Sequence, residues 1–290
     1  MSANRFLVHH VKKEEQGKSL LDLLHEVYFS ELSKKKVKAA LDQKACVING
    51  KSERFASRKL KEGDKITFDR YKLQELPTSL PILFEDAYFL AIDKPAFVTV
   101  SDEEINRYFK KRVFLVHRLD KETTGVLLLV KRFEDKEAFE KLFRERSIHK
   151  IYHAICSGKI SPKKGEIEDP IAPLSKKGGQ MKMEVNAVAG KFARTMYTVL
   201  KEGKNSTYVA CEPITGRSHQ IRVHLATRGY PILGDHLYGS QDTQAPRIML
   251  HSSSISFTHP MTQEAIKIES ALPDDFKECL KERELESFDH

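Results

Sequence analysis

The chain has 290 residues, 40% of them hydrophobic, with a formal net charge of +8 and a sequence pI of about 9.1. That length exceeds one ordinary compact domain and falls short of three, so two domains are expected, and the positive balance favours an anionic partner, nucleic acid first. Cys46, Cys156, Cys211 and Cys279 stand far apart with no CxxC pair, and no apolar run approaches about 18 residues. These features exclude a disulfide framework, a thiolate metal site and a membrane span, and they point to a reduced, soluble, cytoplasmic protein.

Positive charge is densest in the N-terminal quarter. There, "GKSLLDLLHEVY" repeats apolar residues at helical spacing, so Leu20, Leu23, Leu24 and Val27 are expected inward on a first helix. Ser33 is placed to cap a second helix, "SKKKVKAALDQ", with Val37, Ala40 and Leu41 inward and Lys34, Lys35, Lys36 and Lys38 outward. "CVINGK" reads as a short strand entering an Asn49-Gly50 turn, and "LKEGDKITF" as a turn followed by a strand. Residues 1–70 therefore form one small unit of two helices and a few strands. "YKLQELPTSLP", residues 71–81, has two prolines and no period and is expected to be a linker.

Beyond it, strand-like "YFLAIDKP", "VLLLV", "KIYHAIC", "TMYTVL" and "TYVACEP" alternate with helix-like "EDKEAFEKLFRE". The regular strand-helix rhythm and glycine-rich loop of a nucleotide-binding parallel sheet are missing, so a mixed, mainly antiparallel α+β domain is expected over residues 82–275. An acidic tail, residues 276–290, follows as a surface helix.

Three segments concentrate polar residues beside glycine: "HRLDKETTG" (117–125), "HKIYHAI" (149–155) and "PITGRSHQIRVHLATRGYPILGDHLYG" (213–239). In the first, strands at Val113–Val116 and Val126–Val130 flank a turn that carries Asp120. A turn aspartate commonly does no more than bond its own backbone. The third segment alternates like a strand but has helix caps at its ends. A helix of about ten residues is preferred, with Ser218 as N-cap, Gly229 just past the end, Pro231 as stop and Arg222 near the first turn. His149 and His153 lack the glutamate of HExxH, so no metal site is assigned, and "TGRS" lacks a nucleophile-elbow pattern.

Taken together, "AIDKP", "VHRLDKETTGVLLLVK", "KIYHAI", "ITGRSHQIRVHLATRGYPILGDHLYG" and "LHSSSISFTHP" resemble, in order and spacing, the RluA-type pseudouridine synthases. The order basic helix, "VINGK", "ASRKLKEGDKI" over residues 17–69 resembles the S4 RNA-binding domain. There are departures: Phe97 stands where the family commonly has glycine, Thr124 where it has serine and Ser218 where it has threonine. The resemblance implies a pseudouridine synthase-like catalytic domain that isomerises uridine in RNA, ribosomal before transfer RNA, without cofactor. It implies that Asp120 acts at the ribose, that Arg222 is its counter-ion, that Tyr152 holds the flipped base and that Arg118 fills the space the base leaves. Lys34, Lys35, Lys36, Lys38, Arg54, Arg58 and Lys59 would track phosphates. Such a site has a physical logic, because a carboxylate buried against a nucleoside needs a cation, worth about 4 kcal/mol at about 4 Å before desolvation. The competing readings are a catalytically inactive RNA-binding or ribosome-assembly factor on the same scaffold, and an RNA N-glycosidase using Glu122 as a second carboxylate. No large apolar stripe is left over, so a monomer is expected.

Overall fold

Serine caps and one tight turn organise the first seventy residues. β1 (Phe6–His10) leads to α1 (Leu20–Tyr28), where Ser19 accepts the Asp22 amide at 3.1 Å. α2 (Lys34–Asp42) starts after Ser33, whose hydroxyl accepts the Lys36 amide at 3.2 Å. β2 (Cys46–Ile48) and β3 (Lys51–Glu53) form a hairpin across Asn49 and Gly50, whose φ values of 50° and 79° are the left-handed pair such a turn requires. β4 (Lys65–Asp69) completes an antiparallel sheet of order β1-β4-β2-β3. This computed structural model describes residues 6–42, 44–73, 77–174, 182–242 and 244–286, and the chain divides into units of residues 1–76 and 77–290. The division lies inside the 71–81 stretch, which a turn of 3-10 helix at Arg70–Leu73 enters.

Leu20, Leu23 and Leu24 of α1 pack with Val37, Ala40 and Leu41 of α2 against Ile48, Ile66 and Phe68. Val27, expected on the same face, is 48% exposed. The helix stops one residue later, and Phe29 at its end is buried instead. Helical phase alone set the expectation for Val27, and the length of the helix decided against it.

In the second unit the chain runs β5 (Ile82–Glu85), β6 (Phe89–Lys94), α3 (Asp102–Asn106), β7 (Phe114–Leu115), β8 (Thr124–Val130), α4 (Lys136–Arg144) and β9 (Ile148–Ser157). β10 (Lys164–Ile167), β11 (Ile171–Leu174), β12 (Lys182–Val185), β13 (Thr195–Glu202) and β14 (Ser206–Pro213) follow. α5 (Gln220–Thr227), β15 (Leu250–Thr258), β16 (Ala265–Glu269) and α6 (Asp274–Glu282) complete it. The main sheet has the order β10-β13-β14-β9-β15-β8-β6-β5, with β16 on β15 and β7 on β8; β11 and β12 pair separately. All its pairings are antiparallel except β15 with β8, so the mixed, mainly antiparallel α+β class holds. β8 is buried along its whole length, as its unbroken apolar run requires. Gly125 permits the parallel contact: its φ is 104°, and a Cβ there would run into the Ser252 backbone.

Three local expectations need correction. The strand at Val113–Val116 shrinks to Phe114–Leu115. Ser218 is not the cap of α5, which begins at Gln220 and has eight residues. The turn before it is closed by Gln220, whose carboxamide oxygen accepts the Thr215 hydroxyl at 2.6 Å and the Arg217 amide at 3.1 Å, while His219 takes a left-handed φ of 56°. Finally, α6 runs through residue 276, so the last segment does not begin there as an exposed helix. Phe276, Cys279 and Leu280, spaced i, i+3, i+4, are buried in the same core as Tyr208 and Ile155.

Candidate active site

Asp120 sits in the turn between β7 and β8, and two buried cations grip that turn from behind. Lys94, fully buried, donates to the carbonyls of Pro95 at 2.8 Å, Val98 at 3.1 Å and Lys121 at 3.1 Å. Arg247, also fully buried, donates to the Glu122 carbonyl at 3.4 Å while its guanidinium forks onto Asp275 of α6 at 2.7 and 2.8 Å. The Thr123 amide donates to the Asp120 carbonyl at 3.0 Å and closes the turn. The Glu122 carboxylate accepts the Ile248 amide at 3.1 Å, so it is spent on the scaffold and does not line the cleft as a second reacting carboxylate. His117 is likewise structural. It accepts the Leu128 amide at 2.9 Å and stacks on Phe143 at 4.6 Å, and burial, helped by Lys150, pushes its pKa down to about 3.

Phe97, the departure from the family's glycine, keeps the glycine's backbone, with φ 69°, and its amide donates to the Lys121 carbonyl at 2.8 Å. A bulky residue there bears left-handed strain, yet the loop geometry survives. Thr124 uses its hydroxyl to bond His251 Nδ1 at 2.9 Å, which ties β8 to β15.

The facing wall is α5. It is polar in sequence and buried on nearly every side, so each polar group needs a partner. Gln220 donates to the Arg194 carbonyl and the Thr195 hydroxyl, and His224 bonds the same hydroxyl and the Asp169 carbonyl. Ile221 and Leu225, four apart, enter the main core. Residues 219 and 222, three apart, share the remaining face, and Arg222 Nη1 donates to Asp120 Oδ2 at 2.8 Å. Its Nε and Nη2 form a two-pronged contact with Asp235 at 2.7 and 2.9 Å, and its guanidinium lies 5.0 Å over the Tyr238 ring. Burial by itself would lower the Arg222 pKa, but Asp235 and then Asp120 more than offset this and raise it. Arg222 is therefore a permanent cation bound by two carboxylates, one buried and one facing the cleft. His219 Nε2 lies 3.8 Å from Asp120 Oδ1, with Nδ1 at 2.8 Å from the Tyr238 hydroxyl; burial lowers its pKa against the pull of Asp120.

Asp120, Arg222, Tyr152 and Arg118 all line one cleft of about 810 Å³. Tyr152 reaches it from β9, between Cys211 on β14 and Ser252 on β15. Burial pushes its phenol up to about 12, against a hydrogen bond from Ser252, so it is neutral near pH 7. Arg118 stands exposed on the rim with Arg144 and Arg146. The other expected RNA contacts lie in the first unit. Lys34, Lys35 and Lys38 are exposed along α2 and Lys36 is half-buried, while Arg54, Arg58 and Lys59 are exposed in the loop after β3. That loop bonds the start of α1 through the Arg58 and Ala56 carbonyls. The Asp22 carboxylate, bonded to Lys34 at 2.7 Å, also feels Lys59, which places the two basic groups together. Arg58 is paired with Glu53 at 3.2 Å, and Arg54 lies over Phe55 at 5.2 Å.

Asp235, Tyr238, His219, Lys94 and Arg247 were given no role from sequence. The signal for Asp235 was present: a helix buried all round that carries an arginine needs more than one carboxylate, and "GDHLYG" offers the only one in its vicinity within the third motif. His149 and His153, four apart on a strand, go separate ways, to Glu212 at 3.1 Å and Tyr208 at 2.8 Å. Among the described residues no group of three His, Cys, Asp or Glu could hold a metal ion, and no helix is long and apolar enough to cross a membrane.

A mainly antiparallel sheet that presents a turn carboxylate to a cleft, with a buried arginine clamped behind it, has the construction of a pseudouridine synthase catalytic domain. The sequence model of the RNA pseudouridylate synthase family matches residues 88–227. Over 253 residues the chain is 35% identical to the ribosomal large subunit pseudouridine synthase C of Buchnera aphidicola subsp. Schizaphis graminum, covering 77% of this chain and 80% of that protein. An RNA pseudouridine synthase of Aquifex aeolicus is 30% identical, with 91% of this chain and 94% of that one covered. The solved structure of human RNA pseudouridylate synthase domain containing 4 has a TM-score of 0.58 at 27% identity, over 71% of this chain and 94% of that one. This chain belongs to the RluA-type RNA pseudouridine synthases, enzymes that isomerise uridine.

Proposed function

We propose that this protein converts specific uridines of large-subunit ribosomal RNA to pseudouridine, with Asp120 acting at the ribose. The observation that carries the reading is the Asp120–Arg222 ion pair, 102 residues apart in sequence and closed at 2.8 Å at the cleft. Membership in the family and the names of relatives such as the ribosomal large subunit enzyme supply the substrate class.

A uridine stacked in RNA cannot turn in place, so the nucleotide leaves the stack and enters the cleft. Arg118 on the rim fills the gap, and Tyr152 supports the base by its ring face. The N1–C1′ bond breaks with its electron pair staying on the base. Asp120 either bonds C1′ or takes a proton from C2′. The base turns and C5 joins C1′, which breaks the Asp120–C1′ bond in the first course or is accompanied by return of the proton from Asp120 to C2′ in the second; the C5 proton then leaves, and N1 gains a proton. No redox step or group donor enters, and Arg222 keeps the carboxylate aimed throughout. Residues 1–70 act as an S4-like RNA-binding unit, with Lys34, Lys35, Lys36, Lys38, Arg54, Arg58 and Lys59 following phosphates and supplying affinity rather than choice of uridine. The protein works as a cytoplasmic monomer.

The test is carbodiimide mapping of pseudouridine across total RNA from cells carrying the native gene or Asp120→Asn. Loss of one or a few sites in large-subunit RNA is expected. Loss confined to transfer RNA would correct the substrate, and no change at any site would overturn the catalytic reading in favour of an RNA-binding assembly factor.

A further inference from the structure

Four lysine and arginine side chains among the described residues are buried: Lys94, Lys150, Arg222 and Arg247. Three have their charge fully engaged, Lys94 by three carbonyls, Arg222 by two carboxylates and Arg247 by Asp275 and backbone carbonyls. Lys150 is the exception. It is 9% exposed, lines the cleft, and its ammonium has neither a hydrogen bond nor an ion pair among the described residues. Its stem is buried and its ammonium opens on the cleft, so a cation that has lost part of its hydration is held where a ligand can supply the partner.

The position of Lys150 says which part of the ligand. It lies on β9 two residues before Tyr152, so both side chains leave the same face of the strand, roughly 7 Å apart. The exposed cations Arg118, Arg144 and Arg146 occupy the rim, where a sugar-phosphate backbone would pass. Lys150, buried where they are exposed, shares the lining of the cleft with Tyr152, the residue that would hold an extruded base. Its neighbours in charge are Glu212 on β14, which favours the cation, and His117 in the turn, which is neutral; Arg144 at the end of α4 and Arg146 just beyond it line the same cleft. Asp120 and Tyr152 line the same cleft.

We propose that Lys150 is a further catalytic residue of this site: its ammonium hydrogen-bonds a carbonyl oxygen of the flipped uracil and takes up the negative charge that the base acquires when the N1–C1′ bond breaks. The inference rests on the isomerase reading above. In either course open to Asp120 the bonding pair leaves on the base, giving a uracil anion whose charge spreads to O2 and O4. A cation held in place, poorly hydrated, stabilises that anion more than it stabilises the neutral uracil. The lysine remains protonated throughout, and the C5 proton is lost only after the new C–C bond forms. Burial pushes the Lys150 pKa down to about 8, so the working cation is present below that pH and is lost as pH rises through it.

The experiment uses the full-length protein and a large-subunit ribosomal RNA transcript labelled with tritium at uridine C5, since joining through C5 releases that tritium. Release by the wild-type chain tests the isomerase reading by itself, and no release would overturn both that reading and this one. With release established, Lys150→Met should lower the single-turnover rate about 100- to 1,000-fold, while filter binding of the same transcript changes less than threefold. Lys150→Arg, which keeps the charge, should recover part of the rate and remove the loss of rate that the wild type shows above about pH 8. An unchanged rate in Lys150→Met, or a loss of binding equal to the loss of rate, would overturn the proposal, the latter assigning Lys150 to a phosphate. Should Lys150→Met fail to fold, an alkaline limb identical in Lys150→Arg and wild type would overturn it as well.

Discussion

Asp235→Asn separates the clamp behind the reacting carboxylate from the carboxylate itself. The substitution keeps size and shape but removes the charge that meets Arg222 at 2.7 and 2.9 Å in a pocket where Asp235 is 1% exposed. Breaking a buried pair by neutralising one partner costs about 3–5 kcal/mol, because the other charge is left uncompensated. Here Asp120 still faces Arg222 at 2.8 Å, so the low end applies, about 3 kcal/mol. For a unit of this size each kcal/mol moves the melting temperature by about 2–4 °C, so a drop of roughly 6–12 °C in the transition of residues 77–290 is expected by calorimetry. The guanidinium also loses the fork that fixes its plane, and a misplacement near 1 Å costs about 100-fold in rate. Tritium release should therefore fall by about that factor, measured well below the variant's melting temperature so that unfolding contributes nothing. A melting temperature within about 2 °C of wild type, or a full rate, would refute the idea that Asp235 holds Arg222 against Asp120.

Three further outcomes follow from other parts of the molecule. His251 is fully buried, with Nδ1 accepting the Thr124 hydroxyl and Nε2 donating to Ser270, and burial pushes its pKa down to about 4. The unfolded chain takes up this proton near pH 6.5 and the folded chain only near pH 4, so stability on the order of 3 kcal/mol is lost as pH falls through that window. His251→Gln should reduce the fall of melting temperature with pH between those values, leaving the share that His117 and His153 contribute, and a curve that merely shifts in parallel would refute it. Gly125→Ala forces a Cβ into the Ser252 backbone at φ 104° and should cost about 3 kcal/mol or more, read as a drop in melting temperature; an unchanged value would show that β8 and β15 can part. Replacing Lys34, Lys35 and Lys38 by Gln should weaken RNA binding and reduce its log–log salt slope by about 0.7–0.9 for each phosphate contact removed, and an unchanged slope would assign these lysines to a merely solvated face.

Much of this molecule can be read from neighbouring residues. Ser19 and Ser33 cap helices because each offers an oxygen three residues before a free amide, and Asn49-Gly50 turns a hairpin because both residues tolerate a left-handed backbone. Those interactions close within a few residues, so the chain determines them by itself. The same holds for the apolar run of β8, and the polar segments around Asp120, Tyr152 and Arg222 carry enough pattern to point to one family. What a short window cannot hold is which distant elements meet. Ser218 looks like a helix cap until the Gln220 carboxamide, bonded to Thr215, closes the turn in another way. Val27 has the right helical phase but the helix ends beside it, and the apolar spacing of α6 gains its meaning only from the core that receives it. The site follows the same division. Its chemical groups were visible in the chain, but the contact of Arg222 with Asp120, the second carboxylate at Asp235, the grip of Lys94 and Arg247 on the turn, and the unpartnered ammonium of Lys150 exist only once sheet and helix are packed. Charge pairing in a buried site is decided by three-dimensional proximity, to which separation along the chain is indifferent.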